Sequence, residues 1–354
     1  MRVLITGHKG YIGSVMAPML VAEGHQVVGL DSDIFEDCAY SHPILEIPEL
    51  KKDIRDVEVE ELEGFDAIIH LAAISNDPIG NLNPELTYEI NHLGTVRLAR
   101  LAKDAGVSRF LFSSSCSMYG ASGDDILGEE AAFNPVTPYA HSKVLVERDV
   151  AELADKSFSP TFLRNSTAYG ISPRLRFDLV LNNLVAYAYT SGLVYMMSDG
   201  TPWRPIIHIE DISRAFIAVL NAPREVVHNQ AFNVGINDEN YRIRELAEIV
   251  RDVVPGCRIE YAEGAGPDKR SYRVDFSKIF HVLPGFKPVW NARKGAEELF
   301  ASYEKVSLTH EEFDGPRFKR INHIRNLLTT GQLGADLRWN SEKEPSKVLS
   351  ELNL

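Results

Sequence analysis

Short runs of apolar and β-branched residues alternate with amphipathic stretches along the first half of the chain. The runs predict strands at RVLIT (2–6), HQVVGL (25–30), FDAIIHLAA (65–73), SRFLFSSS (108–115) and PTFLRNSTAYG (160–170). The stretches between them predict helices at Tyr11–Glu23, Asn83–Ala105 and Pro138–Asp155. Near-continuous apolar strands between helices are typical of a parallel sheet covered on both faces, so the pattern predicts a doubly wound α/β fold.

The pattern becomes irregular after about Tyr169. Predicted helices at 178–190, 210–221 and 242–253 alternate with short strands and Pro/Gly-rich loops. We therefore expect a first domain over 1–169, to which a later segment near 204–235 returns, and a smaller, discontinuous mixed α/β substrate lobe over 170–300. Residues 301–354 are charged and weakly periodic, which predicts a helical or partly mobile extension.

The formal net charge of −13 restricts the partners of the chain. An acidic surface repels nucleic acid and anionic membranes, so neither is expected to bind. A negatively charged substrate would instead need a local cluster of Arg or Lys. The sequence contains neither a signal region nor a long apolar run, which predicts a cytoplasmic protein. Cys38, Cys116 and Cys257 form neither a metal pattern nor a disulfide framework, and no metal is expected.

Three glycines, Gly7, Gly10 and Gly13, follow the first strand directly and open the first helix. The first permits a tight turn, the second lets the backbone approach a pyrophosphate, and the third lets the helix pack against the strand. The start of the helix offers free N–H groups and a positive dipole end to phosphates. The motif predicts a dinucleotide site on a Rossmann-type sheet, with Tyr11 and Ile12 among the contacts.

The end of the second strand indicates which dinucleotide binds. Asp31 stands there, and a carboxylate at that place accepts both hydroxyls of an adenosine ribose and repels a 2′-phosphate. The next residues are Ser32 and Asp33, and no Arg or Lys follows at once. The sequence therefore predicts NAD rather than NADP. The strand-ending run Leu71, Ala72 and Ala73 is small enough for close passage of the cofactor.

A tyrosine and a lysine are spaced for proton transfer. Tyr139 and Lys143 are four residues apart and share one face of a predicted helix. An ammonium near a phenol favours the phenolate and lowers the tyrosine pKa, so that Tyr139 exchanges protons with a sugar hydroxyl near neutral pH. Ser115 lies where ligands bind in open α/β sheets, at the carboxyl end of a strand, and is a candidate to hydrogen-bond the reacting oxygen.

Together these motifs resemble the extended short-chain dehydrogenase/reductase family, and within it the NAD-dependent sugar epimerase/dehydratase branch. The resemblance spans roughly residues 1–290 and also rests on His70–Ala73, Asn91 and the run Ser113–Gly120. It implies a catalytic triad of Ser115, Tyr139 and Lys143, with Lys143 also holding the nicotinamide ribose. The further cofactor contacts that it implies are Asp53, Ile54, Asn91 and Ser113.

The later motifs most resemble those of UDP-galactose 4-epimerases. The resemblance implies a nucleotide-diphosphate sugar as substrate, and arginines are suited to bind its phosphates bidentately. The candidate substrate contacts are Ser115, Cys116, Ser117, Thr167, Arg174, Arg176, Asn183, Arg204, Asp268, Arg270 and Arg273. By the same resemblance, the helices at 83–105 and 138–155 pair with their copies as a four-helix bundle, which implies a homodimer.

The loop after Ser115 narrows the reaction. The 4,6-dehydratases of the branch carry an acidic pair where this chain has Cys116 and Ser117, and neither residue replaces a carboxylate. The predicted reaction is therefore epimerisation through transient oxidation at C4 and return of the hydride. Three alternatives stay open: 3- or 5-epimerisation with a Cys116 thiolate as base, another dehydratase or ketoreductase reaction on a nucleotide (4-keto) sugar, and a non-catalytic NAD-sensing regulator. A purely packing role of Cys116 is the competing interpretation of that residue.

The two aspartates predict cofactor selectivity. Because Asp31 and Asp33 would repel a 2′-phosphate, cofactor-free protein is expected to bind NAD more tightly than NADP. Calorimetric titration with each dinucleotide at the same ionic strength measures the ratio. Equal or tighter binding of NADP contradicts the prediction.

Overall fold

The computed structural model describes residues 1–40, 43–75, 77–264, 266 and 270–340. The strands are β1 (Arg2–Thr6), β2 (Gln26–Asp31), β3 (Glu49–Lys51), β4 (Ala67–His70), β5 (Arg109–Ser115), β6 (Ala121–Leu127), β7 (Ser159–Asn165), β8 (Thr167–Tyr169), β9 (Leu193–Met196), β10 (Trp203–His208), β11 (Gln230–Val234), β12 (Asn240–Arg242), β13 (Arg258–Tyr261) and β14 (Ser271–Val274). The helices are α1 (Gly13–Ala22), α2 (Asp77–Leu82), α3 (Pro84–Tyr88), α4 (Thr95–Asp104), α5 (Pro138–Ala151), α6 (Val180–Ser191), α7 (Ile209–Asn221), α8 (Arg224–Val227), α9 (Ile243–Val253), α10 (Ser277–Val282), α11 (Ala292–Val306), α12 (His310–Asp314) and α13 (Arg320–Thr329).

Seven strands form one parallel sheet in the order β11-β7-β5-β4-β1-β2-β3. The strand order reverses between β1 and β4, and ligands of open α/β sheets bind at such a switch point, outside the carboxyl ends of the strands. The predicted Rossmann-type sheet is confirmed. The five strands expected from the apolar runs all lie in it, and β3 and β11 extend it at its two edges.

Both faces of the sheet are buried, as the continuous apolar strands predicted. On one face Val3 and Ile5 of β1 pack with Met16 of α1 and Phe216 of α7. On the other face, the neighbouring Leu4 joins a cluster shared with α4 and α5. Because successive strand residues point to opposite faces, a strand covered on both sides has no polar face.

The second half of the chain divides between the sheet and a separate lobe. β11 joins the main sheet beside β7, whereas β10 pairs with β8 and β12 in a small sheet of its own. The lobe has its own core between α6, α9 and α11. The predicted boundary at residue 301 falls inside α11, so the extension starts within a helix of that lobe. Of the extension, residues 301–340 are described and contain α12 and α13; residues 341–354 lie outside the described part of the chain.

The helix expected over 83–105 is interrupted. α3 and α4 are joined by a π-helical segment, Glu89–Gly94, that contains Asn91. The Asn91 side chain both donates to the carbonyl of Ile74 (3.0 Å) and accepts from its N–H (2.8 Å). Single π-helical turns often mark functional positions. Here the wider turn directs an amide side chain to the loop that follows β4.

A buried ion pair attaches α5 to the sheet. Glu147 of α5 accepts two bonds from the guanidinium of Arg164 on β7, at 2.7 Å from Nη2 and 3.1 Å from Nε. It also accepts from Ser114 Oγ of β5 at 2.6 Å. Both charged side chains are buried, so each requires the other. Since α5 also carries Tyr139 and Lys143, this pair determines where those two residues lie.

Among the described residues, no helix is long and apolar enough to cross a membrane.

The ion pair predicts a large effect of one substitution. Glu147→Gln leaves the Arg164 charge buried without a counterion, and is expected to lower the free energy of unfolding by about 3–5 kcal/mol. Glu152→Gln, at the exposed end of the same helix, is the matched control and should change it by less than about 0.5 kcal/mol. Urea denaturation of both variants measures the difference. An equal, small change in the two variants would show that the pair does not anchor α5.

Candidate active site

A cavity of about 870 Å³ opens at the carboxyl ends of the strands and extends from the glycine-rich turn to the C-terminal lobe. Most of the residues singled out from the sequence lie on its wall. These are Gly7, Gly10, Tyr11, Ile12, Gly13, Asp31, Asp53, Ile54, Leu71, Ala72, Ala73, Ser113, Ser115, Ser117, Tyr139, Lys143, Thr167, Arg176, Asn183, Arg204 and Arg270. The topology thus brings the predicted cofactor, catalytic and substrate residues into one continuous space.

Two glycines of the turn are required by close contacts. Gly7 has a φ of +74°, and a Cβ there would lie 2.8 Å from the backbone nitrogen of Ala72. A Cβ on Gly13 would lie 2.2 Å from the carbonyl oxygen of Gly7. α1 starts at Gly13 and has no side-chain cap at its N-terminus. The N–H groups of Ser14 and Val15 donate to the backbone carbonyls of Gly10 and Ile12, so the fit to the phosphates of a dinucleotide rests on the positive dipole end that this terminus directs at the cavity.

Asp31 is held in place for a ribose. One carboxylate oxygen accepts from the Lys9 N–H and the other from the Asp33 N–H, both at 3.0 Å. Burial raises the pKa of Asp31, and these two bonds oppose that rise. Lys9 and Lys51 also approach this corner, but both pair with the Asp33 carboxylate, at 3.0 and 2.7 Å. The corner therefore stays acidic, and the residues present fit the unphosphorylated ribose of NAD.

The lysine of the catalytic pair is deeply buried. Lys143 Nζ donates to the carbonyl of Ser113 at 2.7 Å and lies 5.6 Å from the centre of the Tyr139 ring. Burial lowers the pKa of Lys143 to about 7, although the Glu147 carboxylate one turn away opposes the shift. The ammonium is thus close enough to stabilise a Tyr139 phenolate and gains or loses its proton near neutral pH.

Tyr139 and Ser115 come from different elements. Tyr139 lies in the first turn of α5, which starts at Pro138 directly after the capping residue Thr137. Ser115 ends β5, and its hydroxyl accepts from the Ser117 N–H at 3.1 Å. The Ser117 hydroxyl is buried and has no hydrogen-bond partner among the described residues. Together they form a set of hydroxyl groups at the carboxyl end of β5, which suits a hydroxylated ligand.

Three predicted site residues use their side chains to bond other protein groups. Cys116 is 0% exposed, does not line the cavity, and donates from its thiol to the Arg164 carbonyl at 3.0 Å. Burial raises the pKa of the Cys116 thiol far above its ordinary value. The sequence suggested that Cys116 contacts the substrate. The structure instead places it in a packing position behind the cavity wall. Asn91 is also behind the wall, and the carboxylate of Asp53 is clasped by Arg55.

The arginines predicted for the substrate separate into two groups. Arg204 and Arg270 line the cavity on the lobe side, where Arg204 donates to the Arg270 carbonyl and lies 5.5 Å above the Tyr272 ring. Arg176 lines it near Tyr11 but is held by Asp178 at 2.7 Å. Arg174 and Arg273 are not on the wall. Arg174 is buried within the segment between β8 and α6, and Arg273 stacks on Trp203. Asp268 lies outside the described residues.

Several wall residues were not predicted from the sequence. They are Ser75, Asn165, Ser166, Asp178, Met196, Arg320, Ile324 and Leu337, among others. Asn165 ends β7 and Ser166 follows it, and both obey the same rule of strand ends that identified Ser115. No local pattern marks Arg320, Ile324 and Leu337, because their segment is charged and weakly periodic and reaches the cavity only through tertiary packing.

Among the described residues, no group of three or more His, Cys, Asp or Glu side chains is arranged to hold a metal ion.

The doubly wound sheet, the glycine turn and the Tyr139/Lys143 pair define a dinucleotide-dependent enzyme. The model of the NAD dependent epimerase/dehydratase family matches residues 3–235, and the chain belongs to this family. Its cofactor is NAD. It is thus an NAD-dependent enzyme of the epimerase/dehydratase type.

Known proteins of different activities are similar to the chain. UDP-glucose 4-epimerase of Lactobacillus helveticus is 30% identical over 335 residues, which cover 88% of this chain and 98% of that protein. MoeE5, solved with UDP-glucuronic acid and NAD, is 26% identical with a TM-score of 0.75, over 87% of this chain and 100% of that one. DesIV of Streptomyces venezuelae, a dTDP-glucose 4,6-dehydratase solved with NAD, is 25% identical with a TM-score of 0.74, over 90% and 100%.

The buried lysine makes stability depend on pH. Its pKa is about 7 in the folded cofactor-free protein and near 10.5 in the unfolded chain, so between these values the unfolded state holds the extra proton. Raising the pH through this window should therefore stabilise the fold, by at most about 1.4 kcal/mol per pH unit. Below pH 7 both states are protonated, and the cost of burying the charge is fully present.

Lys143→Met removes this group. The unfolding free energy of the variant should therefore exceed that of the wild type by the largest amount below pH 7, and the difference should shrink towards pH 10. Denaturation of cofactor-free protein at several pH values measures it. Lys156→Met, at an exposed position, is the control and should show no such trend. A pH-independent difference for Lys143→Met would contradict the lowered pKa.

Proposed function

We propose that this enzyme epimerises a nucleotide-diphosphate sugar by transient oxidation at C4. The observation that carries the proposal is the single cavity that joins the NAD turn, the Ser115/Tyr139/Lys143 group and the arginines Arg204 and Arg270. A diphosphate is a strong ligand for guanidinium groups, and the net charge of −13 makes such a cationic end necessary for an anionic substrate. The similarity to a UDP-glucose 4-epimerase over nearly the whole chain supports the same class of substrate.

Each catalytic residue has one task in the proposed reaction. When bound, NAD supplies reversible hydride acceptance and return. Tyr139 removes the proton of the C4 hydroxyl as a phenolate and gives it back when the ketone is reduced on the other face. Lys143 stabilises that phenolate from 5.6 Å below the ring, and Ser115 positions the reacting oxygen by a hydrogen bond. Between the two hydride steps the keto sugar rotates within the cavity so that its other face meets the cofactor. The cofactor is thereby regenerated.

The carboxylates of the cavity argue against a dehydration. Those on the described wall are Asp31, Asp33, Glu36 and Asp53 at the adenosine end, and Asp178. Asp178 is engaged in a bidentate pair with Arg176, at 2.9 and 2.7 Å. A 4,6-elimination needs an acid and a base beside C5 and C6. The wall near Ser115 carries hydroxyl groups, which are poor substitutes for a carboxylate acid/base pair. This composition favours epimerisation over the dehydratase activity of the relative DesIV.

The buried state of Cys116 argues against deprotonation at C3 or C5. A thiolate base must reach the substrate, whereas this thiol is enclosed and bonded to a carbonyl. The regulator hypothesis is opposed by the complete proton-transfer pair of Tyr139 and Lys143, whereas a ketoreductase would use the same pair and is separated from an epimerase by its net consumption of the reduced cofactor. The homodimer and the cytoplasmic location stay predictions; Leu93, 58% exposed beside α4, lies on the surface expected to pair.

The proposed acid/base role predicts a selective loss of turnover. Tyr139→Phe should lower kcat by about 10²–10⁴-fold while NAD affinity stays within about twofold, because only the phenol proton is removed. Tyr261→Phe, in the exposed strand β13, is the control and should keep full activity. The substrate is identified first, by NMR of products from UDP-, dTDP-, GDP- and CDP-sugars in D₂O. Unchanged turnover of Tyr139→Phe would refute the role.

The same NMR experiment separates the alternative reactions. Inversion at C4 without deuterium supports the proposed hydride mechanism, and Cys116→Ser should then change the rate only slightly. Deuterium at C3 or C5 that disappears in Cys116→Ser would establish the deprotonating epimerase instead. Loss of water with deuterium at C5, where the solvent proton returns after the elimination, would establish a dehydratase, and NAD binding without any product would establish the regulator.

A further inference from the structure

The C-terminal segment 320–340, here called the strap, lies across the adenosine end of the cofactor cavity. His323 Nε2 contacts the carbonyl oxygen of Ile34 at 2.8 Å, and Trp339 Nε1 donates to the carbonyl of Ser32 at 2.7 Å. Both carbonyls belong to the loop that follows β2, directly after the ribose-binding position Asp31. The strap is thus bonded to the loop that borders the ribose.

The strap also meets the other side of the adenosine end. Arg338 forms ion pairs with Asp53, at 3.9 Å, and with Asp56. Leu337 and Ile324 pack with Leu86 in a small apolar cluster and line the cavity. The family model ends at residue 235, so the strap lies outside the region that it matches.

Arg320, the first residue of α13, is the charged group that the strap brings to the cavity. It lines the wall, is 3% exposed, and its guanidinium carbon lies 3.9 Å from the centre of the Phe35 ring. Nη2 donates to the Arg174 carbonyl at 3.2 Å, but Nη1 is buried with no hydrogen-bond partner among the described residues. A buried, incompletely paired guanidinium is costly, and a bound anion would remove that cost.

The neighbours of Arg320 indicate which anion fits. The loop that carries Arg174 is tied to the glycine-rich turn, because Ser172 Oγ donates to the Tyr11 carbonyl at 2.8 Å. Arg174 Nε is likewise buried without a partner among the described residues. Phe35, beneath the Arg320 guanidinium, lies four residues past Asp31. Arg320 therefore contacts both the loop that follows Asp31, through Phe35, and the loop that is bonded to the glycine-rich turn, through the Arg174 carbonyl.

We propose that Arg320 binds the diphosphate of NAD, and that the strap thereby closes the adenosine half of the site and retains the cofactor. The guanidinium donates charge-assisted hydrogen bonds to the phosphate oxygens, which adds to the favourable dipole end at the start of α1. This role concerns the cofactor alone, and it is independent of which sugar reaction the enzyme performs.

Calorimetric titration of cofactor-free, full-length protein tests the proposal with NAD, ADP-ribose and adenosine. Arg320→Gln should bind NAD and ADP-ribose about 10- to 100-fold more weakly, because one charge-assisted contact is lost. Adenosine, which lacks the phosphates, should bind within about twofold of wild type. Arg320→Lys should recover part of the affinity. Arg325→Gln, exposed on the same helix, is the matched control and should bind all three ligands normally.

A second measurement separates ligand binding from a structural role. The melting temperature of Arg320→Gln without cofactor should equal or exceed that of wild type, since a buried charge is removed, while the increase produced by NAD should shrink. Unchanged NAD and ADP-ribose affinities overturn the proposal, as does an equal loss for adenosine. NADP is titrated alongside these ligands, and a loss confined to NADP would overturn the proposal and assign Arg320 to a 2′-phosphate instead. NMR of the products of Arg320→Gln shows separately whether the sugar reaction is the proposed one.

Discussion

The buried ion pair between Glu147 and Arg164 is the interaction on which the catalytic geometry depends. It joins α5 to β7, and the Ser114 hydroxyl extends the same network to β5. α5 carries Tyr139 and Lys143, and β5 carries Ser115, so one set of contacts determines the relative position of all three. An apolar contact would allow the helix to slide along the sheet. A directional pair of buried charges does not, because any shift leaves a charge without its partner.

The second constraint is electrostatic. The chain carries a net charge of −13, but the cavity must receive anionic ligands. On the described wall, carboxylates and the cations Lys9 and Arg320 share the adenosine end, and Arg204 and Arg270 line the lobe side. Lys9 and Lys51, the cations nearest the ribose position, are paired with Asp33 and, for Lys9, also with Glu49. Low dielectric in the cavity strengthens each of these local contacts, so they outweigh the unfavourable net charge.

Much of the fold and part of the site follow from local sequence. The sheet was predictable because strands buried on both faces are continuously apolar, and the cofactor turn because Gly7 and Gly13 occupy positions where a Cβ would collide with backbone. The Tyr139/Lys143 pair was predictable because a spacing of four residues on a helix is itself a contact. The π-helical turn inside the predicted 83–105 helix was not, since it accompanies the contact of Asn91 with the loop that follows β4.

By itself the sequence determined the doubly wound sheet, the dinucleotide turn, Asp31 at the ribose corner and the proton-transfer pair, because each depends on residues close together in the chain. Only the tertiary structure decided which side chains of those segments reach the cavity. It turned Cys116 behind the wall and Ser117 onto it, although the two are adjacent, because the loop after β5 packs one side chain against Arg164. It also brought Arg320 to the cofactor cavity from the other end of the chain, by long-range packing that no local pattern encodes.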